Sequence, residues 1–450
     1  MGTPGSLPAR FLAHLKQARL FREPGEALVA VSGGADSVAL LDLLNGVADA
    51  LGLALVVAHA DHGISADSRI VGSAVGELAG KYGLPFETVE LLLGSSASET
   101  EARRARYAWL REVQRRRGAK YVVTAHHEDD QVETIVLRSL RGSAPAGLAG
   151  IAARGRGGLV RPLLPFTRRE LALYATERGL PVHDDPANRD PRHLRSWIRT
   201  TLLPLLNDRM GARLRGDLLA QGRHAASDRR AWDRMLDLLP DLALQVDGAC
   251  FTVARASVCG YDNALSVALL RAAARRVGLV LGPTRARRLV ALAQRPSGRR
   301  LSLGGGWSAE VAFDRLRVSR DVGAVGCALE RVWPTGEQGM ARFGEFAITW
   351  STAPAPARIE RATWTTWLDS TAWEVRSPAR GDSLVPLGGV GHRPLRRLLM
   401  EARIPRSARP RYPVVSRGET ILWVPGICRS AAGVPAPGTR AVRVDVIEYR

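Results

Sequence analysis

The chain has 450 residues, of which 46% are hydrophobic, so it is too long for one compact core and too apolar for wholesale disorder. Its 64 Lys and Arg residues against 44 Asp and Glu residues give a formal net charge of +20 and a sequence pI of about 11.0. That excess favours a polyanionic partner, although a genome rich in arginine codons would raise the pI of any of its proteins.

The four cysteines, Cys250, Cys259, Cys327 and Cys428, are scattered and include no C-x-x-C pair. That pattern predicts neither a disulfide framework nor a zinc or iron–sulfur site, and it is typical of the reducing cytoplasm. The N-terminus lacks an apolar core of signal-peptide length, and no run approaches the roughly 18 apolar residues of a membrane span. We therefore expect a cytoplasmic protein without a membrane partner.

The first predicted strand, residues 27–31, ends at the glycine-rich segment Ser32-Gly33-Gly34-Ala35-Asp36-Ser37, and a predicted helix follows from Val38. Glycines let backbone N–H groups approach an anion, while serine hydroxyls and a helix N-terminus add donors and positive charge. The segment predicts a phosphate-binding loop; the alternative is an ordinary glycine-rich turn. A carboxylate beside phosphates is repelled unless a cation lies between them, so Asp36 indicates Mg²⁺.

Two later predicted strands also stop where titratable residues begin. Residues 53–58 lead to His59, and residues 121–125 lead to the run His126-His127-Glu128-Asp129-Asp130. Such strands, alternating with helical patterns, indicate an α/β fold with a parallel sheet, whose strands share one carboxyl edge. We expect these segments and the glycine-rich loop to converge on a single crevice.

The predicted helix over residues 99–117 places Arg103, Arg106 and Tyr107 on one face by its i, i+3 and i+4 spacing. A guanidinium at the crevice could stabilise charge that develops on a transferring phosphoryl group. For Arg103 and Arg104, a solvated face is the simpler interpretation.

The acidic run after residue 125 opens another predicted helix. Asp130 and Glu133 share a face of it, so together they could hold a cation, either Mg²⁺ or a substrate ammonium. For Asp129, capping of its own helix is the simpler interpretation.

Two histidine pairs, His59 with His62 and His126 with His127, raise the question of a zinc site. No cysteine accompanies them and the spacings are not those of zinc ligands. Hydrogen bonding to phosphate, or capping, is therefore the favoured interpretation.

The second half of the chain changes in composition. Helical patterns over residues 196–206 and 217–239 lead into residues 250–320, and residues 321–372 have weak periodicity. The shifts predict four parts: a catalytic α/β domain (1–215), a mixed helical domain (216–320), a region of connecting strands or loops (321–372) and a smaller α/β C-terminal domain (373–450).

Together these segments resemble the tRNA(Ile)-lysidine synthetase family, within the PP-loop ATP pyrophosphatase superfamily. The most family-specific stretch is residues 124–134 with Leu140-Arg141-Gly142-Ser143, and residues 240–372 carry the weakest likeness. The chain departs from the family pattern at Ile64-Ser65, where Leu-Arg is common, and at Ser196-Trp197. Other matching stretches are residues 32–37, 58–63, 105–110, 161–164, 185–188, 195–199 and 381–427.

The resemblance implies a PP-loop catalytic domain of the adenine nucleotide alpha hydrolase type. It also implies ATP-dependent ligation of free L-lysine to C2 of the wobble cytidine in the CAU anticodon of isoleucine tRNA. The cytosine C2 oxygen attacks the α-phosphate of ATP, pyrophosphate leaves, and the lysine ε-amine then displaces AMP from the adenylated cytidine. The lysidine that forms changes the codon read from AUG to AUA.

The same resemblance implies a role for each site residue. Arg106 would stabilise the charge of adenylation, Asp130 and Glu133 would orient the lysine or a metal, and Asp36 would hold Mg²⁺. The regions 216–320 and 373–450 would bind tRNA, and a homodimer is left open. The implied ATP-binding residues are Ser32, Gly33, Gly34, Ala35, Asp36, Ser37, His59 and His126. The expected tRNA-docking arginines are Arg393, Arg396, Arg397, Arg403, Arg406, Arg409 and Arg411.

Three other interpretations fit parts of the sequence. A PP-loop tRNA thiolation enzyme, the leading alternative, needs cysteines for sulfur or a cluster. An amide-forming PP-loop enzyme, such as an NAD or GMP synthetase, acts on small substrates and does not account for the basic excess. A non-catalytic tRNA-binding protein on a decayed nucleotide fold would be expected to lack Asp36 or Asp130, and both remain.

Overall fold

The structure is a computed structural model that describes residues 5–61, 68–91, 99–143, 145–183, 194–211, 213–320, 331–369 and 372–448. The motif residues at 62–65 and 185–188, and Cys327, lie outside the described residues. The chain divides into two compact units, Met1–Ala231 and Trp232–Arg450. No helix in the described ranges is long and apolar enough to cross a membrane.

The N-terminal unit is built on a five-stranded sheet in the order β3-β2-β1-β4-β5, and every pairing in it is parallel. This confirms the predicted parallel α/β sheet. The strands are β1 (Gly25–Ala30), β2 (Leu53–Asp61), β3 (Phe86–Glu90), β4 (Tyr121–Val123) and β5 (Leu159–Val160). The helices are α1 (Leu7–Gln17), α2 (Ala35–Asn45), α3 (Ser68–Lys81), α4 (Glu99–Arg117), α5 (Glu128–Leu140), α6 (Arg168–Glu177), α7 (Leu194–Trp197), α8 (Leu203–Met210) and α9 (Arg213–Met235), with a π-helical turn at Ile198–Leu202.

Helices cover both faces of this sheet, which is why its central strand is apolar throughout. Val29 packs on one face, in the core that includes α2, and Leu28 packs on the other with Leu110 and Val113 of α4. From β1 the chain adds β2 and β3 on one side, and β4 and β5 on the other. The order therefore reverses between β1 and β4, and in open α/β sheets ligands bind at such a point, beyond the carboxyl ends of the strands.

The C-terminal unit contains two cores. The first joins α10 (Arg255–Gly260), α11 (Asn263–Arg276) and α12 (Pro283–Ala293) to an antiparallel sheet in the order β6-β7-β10-β9-β8. Its helices lie in the region predicted as a mixed helical domain (216–320). The strands are β6 (Gln245–Asp247), β7 (Cys250–Ala254), β8 (Arg300–Gly304), β9 (Trp307–Ala312) and β10 (Arg315–Arg320).

The second core lies between two further sheets, in the orders β11-β15-β18-β19-β20 and β12-β13-β21-β14, and helix α13 (Leu395–Glu401) packs on it. Residues from the weakly periodic region contribute β11 to β14, which pair with later strands, so this region is part of the C-terminal fold. The strands are β11 (Arg331–Val332), β12 (Gln338–Phe343), β13 (Phe346–Pro354), β14 (Thr365–Leu368), β15 (Glu374–Arg376), β16 (Ser383–Leu384), β17 (Arg393–Pro394), β18 (Val414–Arg417), β19 (Thr420–Val424), β20 (Cys428–Arg429) and β21 (Arg440–Glu448).

Candidate active site

The glycine-rich loop joins β1 to α2 at the point where the sheet order reverses. Gly33 has a φ of +87°, in the region that favours glycine, and a Cβ there would lie 2.3 Å from Val71 Cγ1 of α3. Only glycine therefore fits between the loop and α3. Gly34 then caps α2 in an extended conformation, so the first backbone N–H groups of that helix, which have no intrahelical partner, face the crevice edge.

The two serine hydroxyls of the loop bind within the loop. Ser37 Oγ donates to the carbonyl of Gly34 at 2.9 Å and accepts from the backbone N–H of Ser32 at 3.1 Å. Ser32 Oγ donates to the same hydroxyl at 3.1 Å. The hydroxyls thus fix the loop conformation, which leaves the backbone N–H groups as its principal anion donors.

Asp36 meets helix α5 through the imidazole of His127. Its Oδ2 lies 3.3 Å from His127 Nε2, which is also 3.6 Å from Asp130 Oδ2. The loop after β1 and the segment after β4 therefore come together, as the sheet topology requires. Asp36 Oδ1 is buried and has no hydrogen-bond partner among the described residues.

The electrostatic centre of this contact is His127, a buried side chain. Burial alone would lower its pKa, but the carboxylates of Asp129, Asp36 and Asp130 outweigh that effect and raise the pKa of His127 to about 10. His127 is therefore an imidazolium at neutral pH, which neutralises part of a dense cluster of carboxylates.

Asp130 and Glu133 do share one face of α5, and their described cationic partners are arginines from the π-helical region. Arg195 donates from Nη2 to Asp130 Oδ1 at 2.7 Å and from Nε to Glu133 Oε2 at 2.8 Å. Arg199 contacts both oxygens of Glu133, at 2.5 and 3.0 Å. Asp130 Oδ2 also accepts from the backbone N–H of His127 at 3.0 Å. Glu133 is only 1% exposed, so these guanidiniums separate it from solvent.

The interpretation that Asp129 caps its own helix is wrong, because His127 is the N-cap residue of α5. Asp129 Oδ2 instead accepts from the backbone N–H of Arg168, at the start of α6, at 2.8 Å, and Oδ1 accepts from Arg215 at 2.8 Å. Burial would raise the pKa of this carboxyl, but His127, Arg215 and that backbone bond hold it well below its usual range. The residue therefore ties three helices together.

The histidines His59 and His126 lie on opposite sides of β1. His59 is buried, and its Nδ1 is 2.9 Å from the carbonyl of Val31, so that nitrogen carries the proton. His126 Nδ1 is 2.9 Å from Thr124 Oγ1, and its Nε2 is 3.4 Å from a guanidinium nitrogen of Arg103. Burial and neighbouring arginines lower the pKa of His126 to about 3, so it is neutral where His127 is charged.

The arginines of α4 surround one aromatic ring. The guanidinium carbon of Arg106 lies 5.9 Å from the ring centroid of Tyr107, and that of Arg103 lies 5.1 Å from it. Through its contact with His126, Arg103 reaches the carboxyl edge of the sheet. Arg103 is exposed, as the solvated-face interpretation predicts, and it makes this contact in addition.

A cleft of about 400 Å³ opens beside α5, on the side of Glu133. Its floor is aliphatic, and three guanidiniums and two carboxylates stand around it, with Asn207. The lining residues are Asp129, Val132, Glu133, Arg168, Arg199, Leu203, Pro204, Asn207, Leu214, Arg215 and Leu218. Arg215 Nη2 is buried and has no hydrogen-bond partner within the described ranges. The cleft can therefore receive a ligand with both an apolar body and a negative group.

The carboxylate chemistry suits Mg²⁺ bound together with a nucleotide. Among the residues that the structure describes, no group of three or more His, Cys, Asp or Glu side chains could hold a metal by itself. The buried, unpartnered Oδ1 of Asp36 supplies a hard oxygen ligand beside the anion-binding loop. Mg²⁺ usually takes one or two carboxylates and completes its coordination with phosphates and water, so these residues fit it.

Several residues of the site were not singled out by sequence reasoning. Arg161, Arg195 and Arg199 appeared only within matching stretches, although the i, i+4 spacing of the last two was a usable signal. Arg215 had no local signal, because its partners lie far away in the chain. His127 was weighed only as half of a histidine pair.

Comparisons with known proteins show the family of the chain. Residues 8–206 match the PP-loop domain family, and residues 373–446 match the family described as the TilS substrate C-terminal domain. The chain is 34% identical to a tRNA(Ile)-lysidine synthase of Symbiobacterium thermophilum, over 94% of both chains. It is 32% identical to one of Solibacter usitatus, over 90% of this chain and 94% of that one. Among solved structures, the U34-tRNA thiolase NcsA of Methanococcus maripaludis is 18% identical over 48% of this chain and 80% of its own, with a TM-score of 0.40.

Proposed function

The chain belongs to the tRNA(Ile)-lysidine synthase family, and from that premise we propose that it ligates lysine to the wobble cytidine of isoleucine tRNA at the expense of ATP. The observation that carries the proposal is the contact of Asp36, in the glycine-rich loop, with His127, which in turn lies 3.6 Å from Asp130 at the point of sheet reversal. Such a site combines an anion cradle with carboxylates, as nucleotide adenylation requires.

ATP is assigned to the loop of residues 32–37. The backbone N–H groups at the start of α2 would bind its phosphates, with His59 and His126 as flanking contacts. Asp36 would hold Mg²⁺, which when bound neutralises charge on the phosphates during adenylation. His127 keeps the Asp36 carboxylate in place, since its Nε2 lies 3.3 Å from Asp36 Oδ2.

Arg106 is assigned to the transition state of adenylation. It is half-buried on the face of α4 that turns toward the carboxyl edge. A guanidinium held there would stabilise the charge that develops on the α-phosphate as the cytosine oxygen attacks and pyrophosphate leaves.

Free lysine is assigned to the cleft beside α5. Leu203, Leu214 and Leu218 offer an aliphatic surface for its side chain, and Arg168 with the unpartnered Nη2 of Arg215 offers donors for its carboxylate. Asp130 would orient the ammonium group through Oδ2, whose partners are the backbone N–H of His127 at 3.0 Å and its Nε2 at 3.6 Å, whereas Oδ1 is bound by Arg195. Glu133 has both oxygens bound by Arg195 and Arg199, so we assign it a positioning role on those guanidiniums.

The tRNA is assigned in part to an arginine surface of the C-terminal unit. Within the group predicted from the sequence, Arg393 and Arg397 contact Glu401, and Arg403 contacts Asp314. The pKa of Arg409 is lowered by burial and by two nearby arginines, Arg396 and Arg406. These three guanidiniums therefore lie close to one another. Like charges gathered in this way favour backbone phosphates of RNA. We call these three residues the C-terminal arginine patch.

The thiolation alternative lacks its reactive groups in the PP-loop region. No cysteine precedes Cys250 in the sequence, so the unit that ends at Ala231 offers no thiol for sulfur transfer or for a cluster.

The direct test is to incubate the full chain with ATP, labelled lysine and transcripts of isoleucine tRNA. We expect label in the transcript with a CAU anticodon, one AMP formed per lysine, and no label when the wobble cytidine is replaced by uridine. A CAU transcript that stays unlabelled while ATP is consumed would contradict the proposal.

A further inference from the structure

A group of cationic and phenolic side chains on the β5 side of the sheet has no role in the assignments above. Arg103 packs over the ring of Tyr107, with its guanidinium carbon 5.1 Å from the centroid. Arg161 follows directly after β5, and its Nη1 donates to the carbonyl of Ala152 at 2.7 Å. Arg103 also contacts His126, which places the group beside the active site.

Two donors in this group are buried without a partner. By geometry, neither Arg161 Nε nor the hydroxyl of Tyr107 has a hydrogen-bond partner among the described residues, although the hydroxyl lies near enough to the Arg161 guanidinium to raise the pKa of Arg161. An unsatisfied buried donor costs about 1–3 kcal/mol, and more when it belongs to a charged group. Such donors are typical of a site whose ligand supplies the acceptors.

The group is also positively charged without local compensation. Within the described ranges, no carboxylate forms an ion pair with Arg103 or Arg161. Burial lowers the pKa of Arg161, Tyr107 opposes that effect, and Arg103 and Arg111 lower the pKa further, so like charges are held near one another. His126 is neutral and cannot compensate them, while its Nε2 accepts from Arg103 and helps to fix that guanidinium.

We propose that Arg103, Arg161 and Tyr107 form a phosphate-binding site that is distinct from the glycine-rich loop. The site lies beyond β4 and β5, whereas the loop follows β1, so roughly two strand spacings of about 4.8 Å separate them. The inference rests on the proposed function, which supplies two sources of such a group: a backbone phosphate of the RNA beside the target cytidine, or the pyrophosphate that leaves.

The test uses Arg103→Gln, Arg161→Gln and Tyr107→Phe in the full chain. The matched control is Arg104→Gln, since Arg104 is the next residue of α4 and is exposed. Losing a charged donor to phosphate should weaken binding of the group roughly ten- to hundredfold, and Arg104→Gln should lose no more than the general effect of one positive charge. Tyr107→Phe keeps the ring and so separates loss of the donor from loss of fold.

If the RNA backbone is the source, Arg103→Gln weakens tRNA binding and reduces the slope of log affinity against log salt by about 0.7 relative to Arg104→Gln. Replacing the phosphate 5′ of the target cytidine with a methylphosphonate then causes the same loss in the native protein and no further loss in the variant. If pyrophosphate is the source, tRNA binding is unchanged and direct binding of added pyrophosphate, measured by calorimetry, is weakened instead.

Arg103→Gln and Arg161→Gln variants that match Arg104→Gln in both tRNA binding and pyrophosphate binding would overturn the phosphate site. Both readouts are binding measurements. Failure of the proposed function would appear separately, as absence of labelled lysine in tRNA with the native chain.

Discussion

Arginines form dense polar contacts in both units of this protein, half-buried in the first and fully buried in the second, and their partners differ. In the N-terminal unit, Arg195 and Arg199 meet the carboxylates of Asp130 and Glu133 at the edge of the crevice. In the C-terminal unit, Arg429 is fully buried and donates to backbone carbonyls only, including those of Leu422, Ala432 and Gly433. A carboxylate can release one cationic partner and bind another. A backbone carbonyl in a strand or turn is held in place by the chain, so it keeps the same donor. The first arrangement therefore suits chemistry, and the second suits a framework.

If the N-terminal crevice carries the chemistry, the largest effect on activity is expected from the substitution Asp36→Asn. Because Asp36 is assigned to Mg²⁺ and is not packed in a core, we expect AMP formation to fall at least about 10³-fold. tRNA affinity should stay within about twofold, as measured by filter binding. Turnover near the native rate at saturating Mg²⁺ would contradict the assignment.

The converse experiment is Arg429→Met in the C-terminal framework. It leaves several buried carbonyls without donors, and we expect the free energy of unfolding of this unit to fall by about 3 kcal/mol or more. ATP binding to the N-terminal unit should be unchanged. A matched control is Arg417→Met, whose exposed guanidinium pairs with Asp369 at the surface and should cost less than about 1 kcal/mol.

The adjacent histidines of the crevice should give opposite pH dependences of stability. The folded pKa of His127, about 10, lies above its unfolded value of about 6.5, so its stabilisation is complete below pH 6.5 and is lost as the pH rises toward 10. The folded pKa of His126, about 3, lies below that value, so stability falls as the pH drops from 6.5 toward 3. Denaturant titrations between pH 7 and 10 should show a loss of about 3 to 4 kcal/mol.

His127→Asn is the control for this profile, because an amide does not titrate and the alkaline loss should shrink. An alkaline slope that is equal in the native protein and in the His127→Asn variant would show that another group causes it.

A smaller effect should separate the two carboxylates of α5. We expect Asp130→Asn to raise the KM for lysine about tenfold at unchanged Mg²⁺ dependence, since Asp130 is assigned to the ammonium. Glu133→Gln should instead lower kcat and stability together, because it releases two guanidiniums. Lysine and Mg²⁺ are titrated separately against each variant, and a change confined to Mg²⁺ would assign the pair to the metal.

The smallest expected effect tests the C-terminal arginine patch. Replacing Arg396 and Arg406 together with Gln should weaken tRNA binding a few-fold and flatten its salt dependence by about 1 to 2 units of slope. The matched control replaces Arg393 and Arg397, which are paired with Glu401. Equal slopes for the two double variants would show that pairing does not decide which arginines contact RNA.

How much the sequence could predict depended on the distance between interacting residues. The parallel sheet, the loop at residues 32–37 and the convergence of Asp36 with α5 follow from local patterns, namely apolar runs that stop at glycines or acids. Arg195 and Arg215 lie more than sixty residues from the carboxylates they contact. No local sequence pattern shows which distant carboxylate pairs with which arginine. The strands β11 to β14 were interpreted as connecting segments because short, half-exposed strands carry weak periodicity.

The position of β21 has a consequence for the order in which the protein is made. β21 (Arg440–Glu448) lies between β13 and β14 in its sheet, so neither earlier strand has its main neighbour until residues 440–448 have left the ribosome. The N-terminal sheet is complete once β5 at Leu159–Val160 has emerged. During synthesis the N-terminal unit can therefore fold while β14 and one edge of β13 still lack their partner strand, and these exposed edges are where a chaperone would be needed.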